Sequence, residues 1–269
     1  MSYQYIEVTQ EGRIATVILN RPEVSNAFHT VSYQEVADAM DRFSADPTVG
    51  AVVITGRGKH FSAGGDLLSF RDRIETGEYL TEAKITAAGR MALQIRRCSK
   101  PTIAMINGAA AGAGASAALA CDFRIVQPSS KMILAFVNMG LSGDTLAMFH
   151  LMKLIGIDQA ELMLMTGEPV KGEECLKKGL ATILAEEGKL AEETYALAKK
   201  LADKSSAAIA AQKRLINEFY YEGMETFLAK EAVEMSACSR KPDFTEAVYA
   251  FLEKRRPVFN KGIDDGAQN

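Results

Sequence analysis

Two short glycine-rich segments hold the residues of this sequence best suited to chemistry. Phe61-Ser62-Ala63-Gly64-Gly65-Asp66 follows an apolar run and precedes a helical pattern. Its small residues let a ligand approach the main chain and leave amide N–H groups free at a helix start, where they can hold an anion. Taken alone, the segment also reads as a tight turn in which Asp66 caps the following helix. Asn107-Gly108, continued through Gly112-Ala113-Gly114-Ala115-Ser116, joins a second apolar run to a second short helical pattern. Close helix packing is its plainer reading. One amide from each segment, converging on a carbonyl oxygen, would form an oxyanion hole for an enolate or a tetrahedral intermediate.

Gly112 to Ala117 also fits the GxGxxG/A dinucleotide fingerprint, but the context argues against it. The apolar run stops at Cys121-Asp122, and about twenty residues further on, where an acid should meet the ribose, stands Lys131. A third segment, Gly140-Leu141-Ser142-Gly143-Asp144-Thr145, places a carboxylate before an apolar helical run ending at Ile155. Asp144 there is a helix cap or a proton carrier. If Phe136, Leu141 and Leu146 face it, they raise its pKa. The segment is not GxSxG, so a Ser-His-Asp hydrolase is not indicated. His29, His60 and His150 read as surface or packing residues, with His60, beside the first loop, the one worth testing.

The elements that must position these loops alternate between strand and helix. Tyr5 to Val8 and Ile14 to Leu19 are alternating and β-branched around Glu11-Gly12, which predicts a hairpin. Apolar residues at helical spacing from Thr30 to Ser44 predict a helix, and Ala51 to Thr55 a buried strand. A polar helical stretch to about Arg97, then strands at 102–106 and 123–126, continue the alternation. From Lys189 only helical patterns appear, broken at Ser205-Ser206 and Lys241-Pro242.

With a net charge of -3 the chain has no basic excess for a nucleic acid. Its N-terminus has no apolar core of a signal peptide, and its most apolar stretch, 102–120, is broken by glycines, so no membrane span is expected. Cys98, Cys121, Cys175 and Cys238 are widely spaced, with no CxxC pair and no metal-binding cluster, which fits free thiols in the cytoplasm.

Leu19-Asn20-Arg21-Pro22 with Asn26-Ala27-Phe28, then Phe61 to Asp66, then Asn107-Gly108 through Gly114, in this order and spacing, resemble the crotonase (enoyl-CoA hydratase/isomerase) superfamily. The likeness runs from about residue 5 to Phe259 and includes the closing Ala250-Phe251-Leu252-Glu253-Lys254-Arg255. It implies an α/β fold, a crotonase-like spiral of ββα units over residues 1–195, with a C-terminal helical trimerisation region over 196–269. It further implies an acyl-CoA substrate, a homotrimer or dimer of trimers, and no cofactor beyond the coenzyme A that enters with the substrate. By position, the oxyanion amides are those of Gly65 and Ala113, the latter in place of a usual glycine. Backbone groups around Val24, Ser25, Ala63, Asp66 and Leu67 correspond to the coenzyme A site, with Lys254 either meeting its phosphates or a plain exposed lysine.

The chain departs from the hydratases of that family at both catalytic glutamates, which are Ser116 and Phe136 here. Two-glutamate hydration therefore lacks its acids. Asp144 fits the position of a catalytic aspartate in some relatives, and residues 109–115 and 132–136 resemble the ring-epoxide-CoA isomerase branch of phenylacetate breakdown. One carboxylate suffices to move a double bond, so the expected activity is enoyl-CoA isomerisation. The alternatives are hydratase-like activity without the glutamates and a non-catalytic acyl-CoA-binding protein. Aspartate-based dehalogenation also needs a histidine and a tryptophan, and the chain has no Trp and no His between His60 and His150.

Overall fold

The computed structural model describes residues 3–261. Ile6–Glu11 (β1) and Ile14–Leu19 (β2) pair antiparallel across Gly12. Ala51–Gly56 (β3), Thr102–Ile106 (β4), Phe123–Val126 (β6) and Ile183–Leu184 (β9) add to β2 in parallel, giving a six-stranded sheet ordered β1-β2-β3-β4-β6-β9. Every residue of β3 is buried, as a parallel strand covered on both faces requires. A smaller sheet is made by Ala109–Ala111 (β5), Lys131–Ile133 (β7) and Val170–Lys171 (β8), and single bridges from Ser62 to Ala110 and from Phe28 to Gly65 extend this pattern.

The chain winds by repeating one unit. β3 leads through the Ser62 bridge to Leu67–Glu75 (α2) and Glu82–Arg97 (α3); β4 leads through β5 to Ala113–Ala120 (α4); β6 leads through β7 to Ala147–Ile155 (α5). This is the expected spiral of ββα units. The single polar stretch read up to Arg97 is two helices. Gly77 breaks it at φ +71°, and the Thr81 hydroxyl, accepting from the Lys84 N–H at 3.3 Å, starts the second.

Thr30–Ala45 (α1) forms as its periodicity predicts, and Ile157–Thr166 (α6) and Gly172–Lys177 (α7) precede the helical tail. The tail comprises Leu190–Ala202 (α8), Ser206–Phe219 (α9), Met224–Cys238 (α10) and Pro242–Leu252 (α11). Ser205 caps α9 and Pro242 opens α11, where the sequence signals put the breaks. Residues 195 and 196 lie inside α8, which packs Ala198 and Ala202 with Val53 and Ile103 in a small core on one sheet face. The larger core takes Val52, Ile54 and Ala104 on the other face. α10 lies close on α3, because a Cβ at Gly89 would fall 2.3 Å from a Leu228 methyl. Among the described residues, the four cysteines are free and no helix is long and apolar enough to cross a membrane.

Candidate active site

The first loop is fixed by side chains buried behind it. The Asn26 amide accepts from Arg21 N–H at 3.0 Å and donates to the carbonyls of Arg57 and His60 at 3.0 and 2.7 Å. The Ser62 hydroxyl donates to the Asn26 carbonyl at 2.8 Å, and Ala63 N–H donates to Ser25 at 2.9 Å. Val24 and Ser25 are thereby held beside Ala63. Asp66 caps α2 by accepting from Leu68 N–H at 3.1 Å and pairs with Arg21 at 2.9 Å. The plainer reading of Asp66 as a cap holds, and its carboxylate is already committed.

The two loops meet main chain to main chain. Gly64 sits at φ +92°, and a Cβ there would lie 2.8 Å from the Ala111 carbonyl and 3.5 Å from the Ala113 nitrogen. Any side chain at Gly64 would push the loops apart, so the glycine is required by contact as well as by φ. Gly112, at φ +48°, takes the second loop into α4, which starts at Ala113. The Gly65 and Ala113 N–H groups have no acceptor among the described residues. An alanine serves as well as a glycine at position 113, because the donor belongs to the backbone.

Both loops wall a cavity of about 570 Å³, which Phe70, Phe136, Met139 and Leu141 make largely apolar. Val24, Ser25, Ala63, Gly65, Asp66, Leu67, Ala113, Phe136 and Asp144, all singled out in the sequence, line it together. Ser116 does not. It is fully buried in α4, and its hydroxyl donates to the Gly112 carbonyl one turn back at 3.2 Å. Lys254 is exposed just beyond α11, near Phe251 and Leu252 on the cavity wall. Leu146 is packed in the core, so of the three apolar neighbours expected around Asp144 only Phe136 and Leu141 reach the cavity.

Asp144 lies where this cavity adjoins a second one of about 290 Å³ between α1, α2 and α3, and lines both. Burial pushes its carboxyl up to about 6, although a hydrogen bond from the Thr145 hydroxyl at 3.1 Å pulls the other way. Among the described residues no Lys or Arg side chain forms an ion pair with it.

Several site residues carry no sequence signal. Tyr33 on α1 lines both cavities, its hydroxyl pushed well above its ordinary value by burial and by the Asp144 and Asp66 charges. Met235 comes from α10, while Phe251 and Leu252, from the closing motif on α11, complete the wall. Tyr33 and Met235 each look like an ordinary core position in their helix. His60 lines the cavity, with Nδ1 3.4 Å from the Ala109 amide, and burial with the nearby Lys59 and Lys131 lowers its pKa. His29 caps α1 and His150 is fully buried.

Two free amides and the raised Asp144 carboxyl thus face one largely apolar cavity. The model of the enoyl-CoA hydratase/isomerase family matches residues 9–262. This chain belongs to that family. The enoyl-CoA hydratase/isomerase fold also appears in a solved enoyl-CoA hydratase of Mycobacterium avium subsp. paratuberculosis, with a TM-score of 0.86 at 29% identity over 96% of this chain and 99% of that one. The chain is 33% identical to the trans-2-decenoyl-[acyl-carrier-protein] isomerase of Streptococcus mutans, covering 96% of this chain and 99% of the relative. It is 30% identical to the crotonyl-CoA hydratase of Syntrophomonas wolfei over 96% and 99%. Family members thus include both isomerases and hydratases.

Proposed function

We propose that this family member is an enoyl-CoA double-bond isomerase in which Asp144 shuttles the proton. The observation that carries the reading is the Asp144 carboxyl on the wall of an apolar cavity, raised to about 6, with Ser116 and Phe136 at the hydratase acid positions. A base of that strength is mostly ionised at neutral pH yet basic enough to take an acidified carbon-bound proton. In a 3-enoyl thioester, Asp144 removes a C2 proton and the electron pair moves into a dienolate. The thioester oxygen takes the negative charge, held by the Gly65 and Ala113 amides. Asp144 then returns the proton at C4, leaving the 2-enoyl thioester. No atoms are gained or lost.

Asp66 lines the same cavity, but its carboxylate is committed to Arg21 and to the cap on α2. The main chain around Val24, Ser25, Ala63 and Leu67 suits the nucleotide part of coenzyme A, and Lys254 its phosphates. The relationship to a decenoyl thioester isomerase and the likeness around Asp144 to an isomerase branch support the same chemistry.

The test is conversion of 3-enoyl-CoA to 2-enoyl-CoA by purified Asp144→Asn protein. Turnover should fall on the order of 10²–10⁴-fold, the usual share of a general base. Equal turnover would refute the assignment. Rapid hydration of crotonyl-CoA would replace it with a hydratase reading, and tight acyl-CoA binding with no turnover in the unsubstituted protein would leave a binding protein.

A further inference from the structure

The turn that presents Asp144 has an unusual backbone. The two residues after it, Thr145 and Leu146, are both left-handed, at φ +55° and +61°, and neither is glycine. A β-branched threonine in that region is unfavourable and persists only where its surroundings hold it. One hold is local, from Ala147 N–H to the Asp144 carbonyl at 3.1 Å. Another comes from 85 residues away: Leu146 N–H donates to Glu231 Oε2 at 2.9 Å.

Glu231 is set on the inner face of α10, only 8% exposed, and Met235 one turn further on lines the cavity. Its other oxygen, Oε1, is buried and has no partner among the described residues. Among the described residues no Lys or Arg forms an ion pair with it. Asp144, on the turn, is the charged group that acts on it. On α5, His150 lies against the same turn and donates from Nδ1 to the Leu146 carbonyl at 2.9 Å; burial lowers its pKa to about 3, so it is neutral. On α1, Tyr33, which lines both cavities with Asp144, keeps its proton. Burial pushes Glu231 up to about 8, the Leu146 amide restrains the rise and the Asp144 charge adds to it.

We infer that Glu231 is a positioning residue for Asp144, its buried carboxyl anchoring the left-handed turn through the Leu146 amide and lying within reach of the Asp144 charge. The inference rests on the reading of Asp144 as proton carrier only for its effect on turnover. At neutral pH Asp144 holds the charge and Glu231 the proton, so the anchor does not add a second negative charge beside the enolate.

Glu231→Gln keeps an oxygen that can accept from Leu146 N–H and loses the titration. Glu231→Leu loses both. In the full-length protein the leucine variant should lose roughly ten- to hundredfold in kcat, the cost of leaving one buried amide unpaired, with KM for the acyl-CoA changed by less than about twofold because both glycine loops are intact. The glutamine variant should recover most of that kcat. Carboxyl carbon-13 NMR, which needs no activity, should show two linked steps in the unsubstituted protein and a single Asp144 step in Glu231→Gln. Asp144→Asn should lower the Glu231 step. A leucine variant with unchanged kcat, a folded glutamine variant with no recovery, or unlinked carboxyl titrations would each overturn the inference. If Asp144→Asn retained turnover while the titrations stayed linked, the assignment of Asp144 would fail and the pairing would stand.

Discussion

Asp122 and Asp144 are both enclosed by protein, yet their surroundings push them in opposite directions. Asp122 follows α4 and meets Arg96 from α3 and Lys213 from α9, both nearly fully buried, and accepts from the Thr102 N–H at 2.8 Å. Burial alone would raise its carboxyl, but the Lys213 and Arg96 cations outweigh it and hold the group below its ordinary value. Asp144 has no such cation, and the second carboxyl near it is Glu231, so burial prevails. The contrast separates an acid that fastens the helical tail to the core from one left without a counter-charge. A buried carboxylate surrounded by cations is a poor base; one surrounded by phenyl and aliphatic groups is a useful one.

The comparison can be broken in order of size. Asp122→Ala strands two buried cations and should destabilise the fold by about 3–5 kcal/mol in denaturant melts. A loss below about 1 kcal/mol would mean the cluster fastens nothing. Asp144→Asn should do the reverse, and only at high pH. The folded carboxyl titrates at about 6 against an ordinary 3.8, so the stability it contributes is full below the unfolded value and is lost as pH rises through the folded one. Melts at pH 8 should therefore find Asp144→Asn more stable than the unsubstituted protein by up to roughly 3 kcal/mol, with no difference near pH 3.5. Asp122, held low, has the opposite sign: what it contributes is present above its unfolded pKa and is lost as pH falls. The smallest effect should be that of Ser116→Ala, which removes a hydroxyl bonded within its own helix. Stability should change by less than about 1 kcal/mol and turnover not at all. A fall in turnover would bring Ser116 into the chemistry.

Local pattern accounts for most of what the sequence made legible. The hairpin at Gly12, β3, β4, β6 and the breaks at Ser205 and Pro242 all follow from alternation, apolar runs and capping residues. β5, β7 and β8, at two or three residues, are too short to have a period. The gap between α2 and α3 did leave a trace in Gly77 and Thr81, which together spell a stop and a start. At the site, the glycine loops and Asp144 are visible because small residues beside polar ones interrupt apolar runs. Glu231 is not. In its helix Glu225, Glu231 and Glu234 are the same residue type, and only the docking of α10 decides which one faces inward. Tyr33 is hidden for the same reason, one apolar position among many on α1.

The pairing of Leu146 with Glu231 also bears on the order in which the molecule becomes competent. Its partners are 85 residues apart, so forming it closes a long loop at an entropic cost met only when α10 docks on α3. Before docking, the Glu231 carboxyl on α10 faces water and titrates as an ordinary acid. A chain with its spiral formed but its last helices undocked would hold every residue of the glycine loops and still lack the long-range anchor on the turn that carries Asp144.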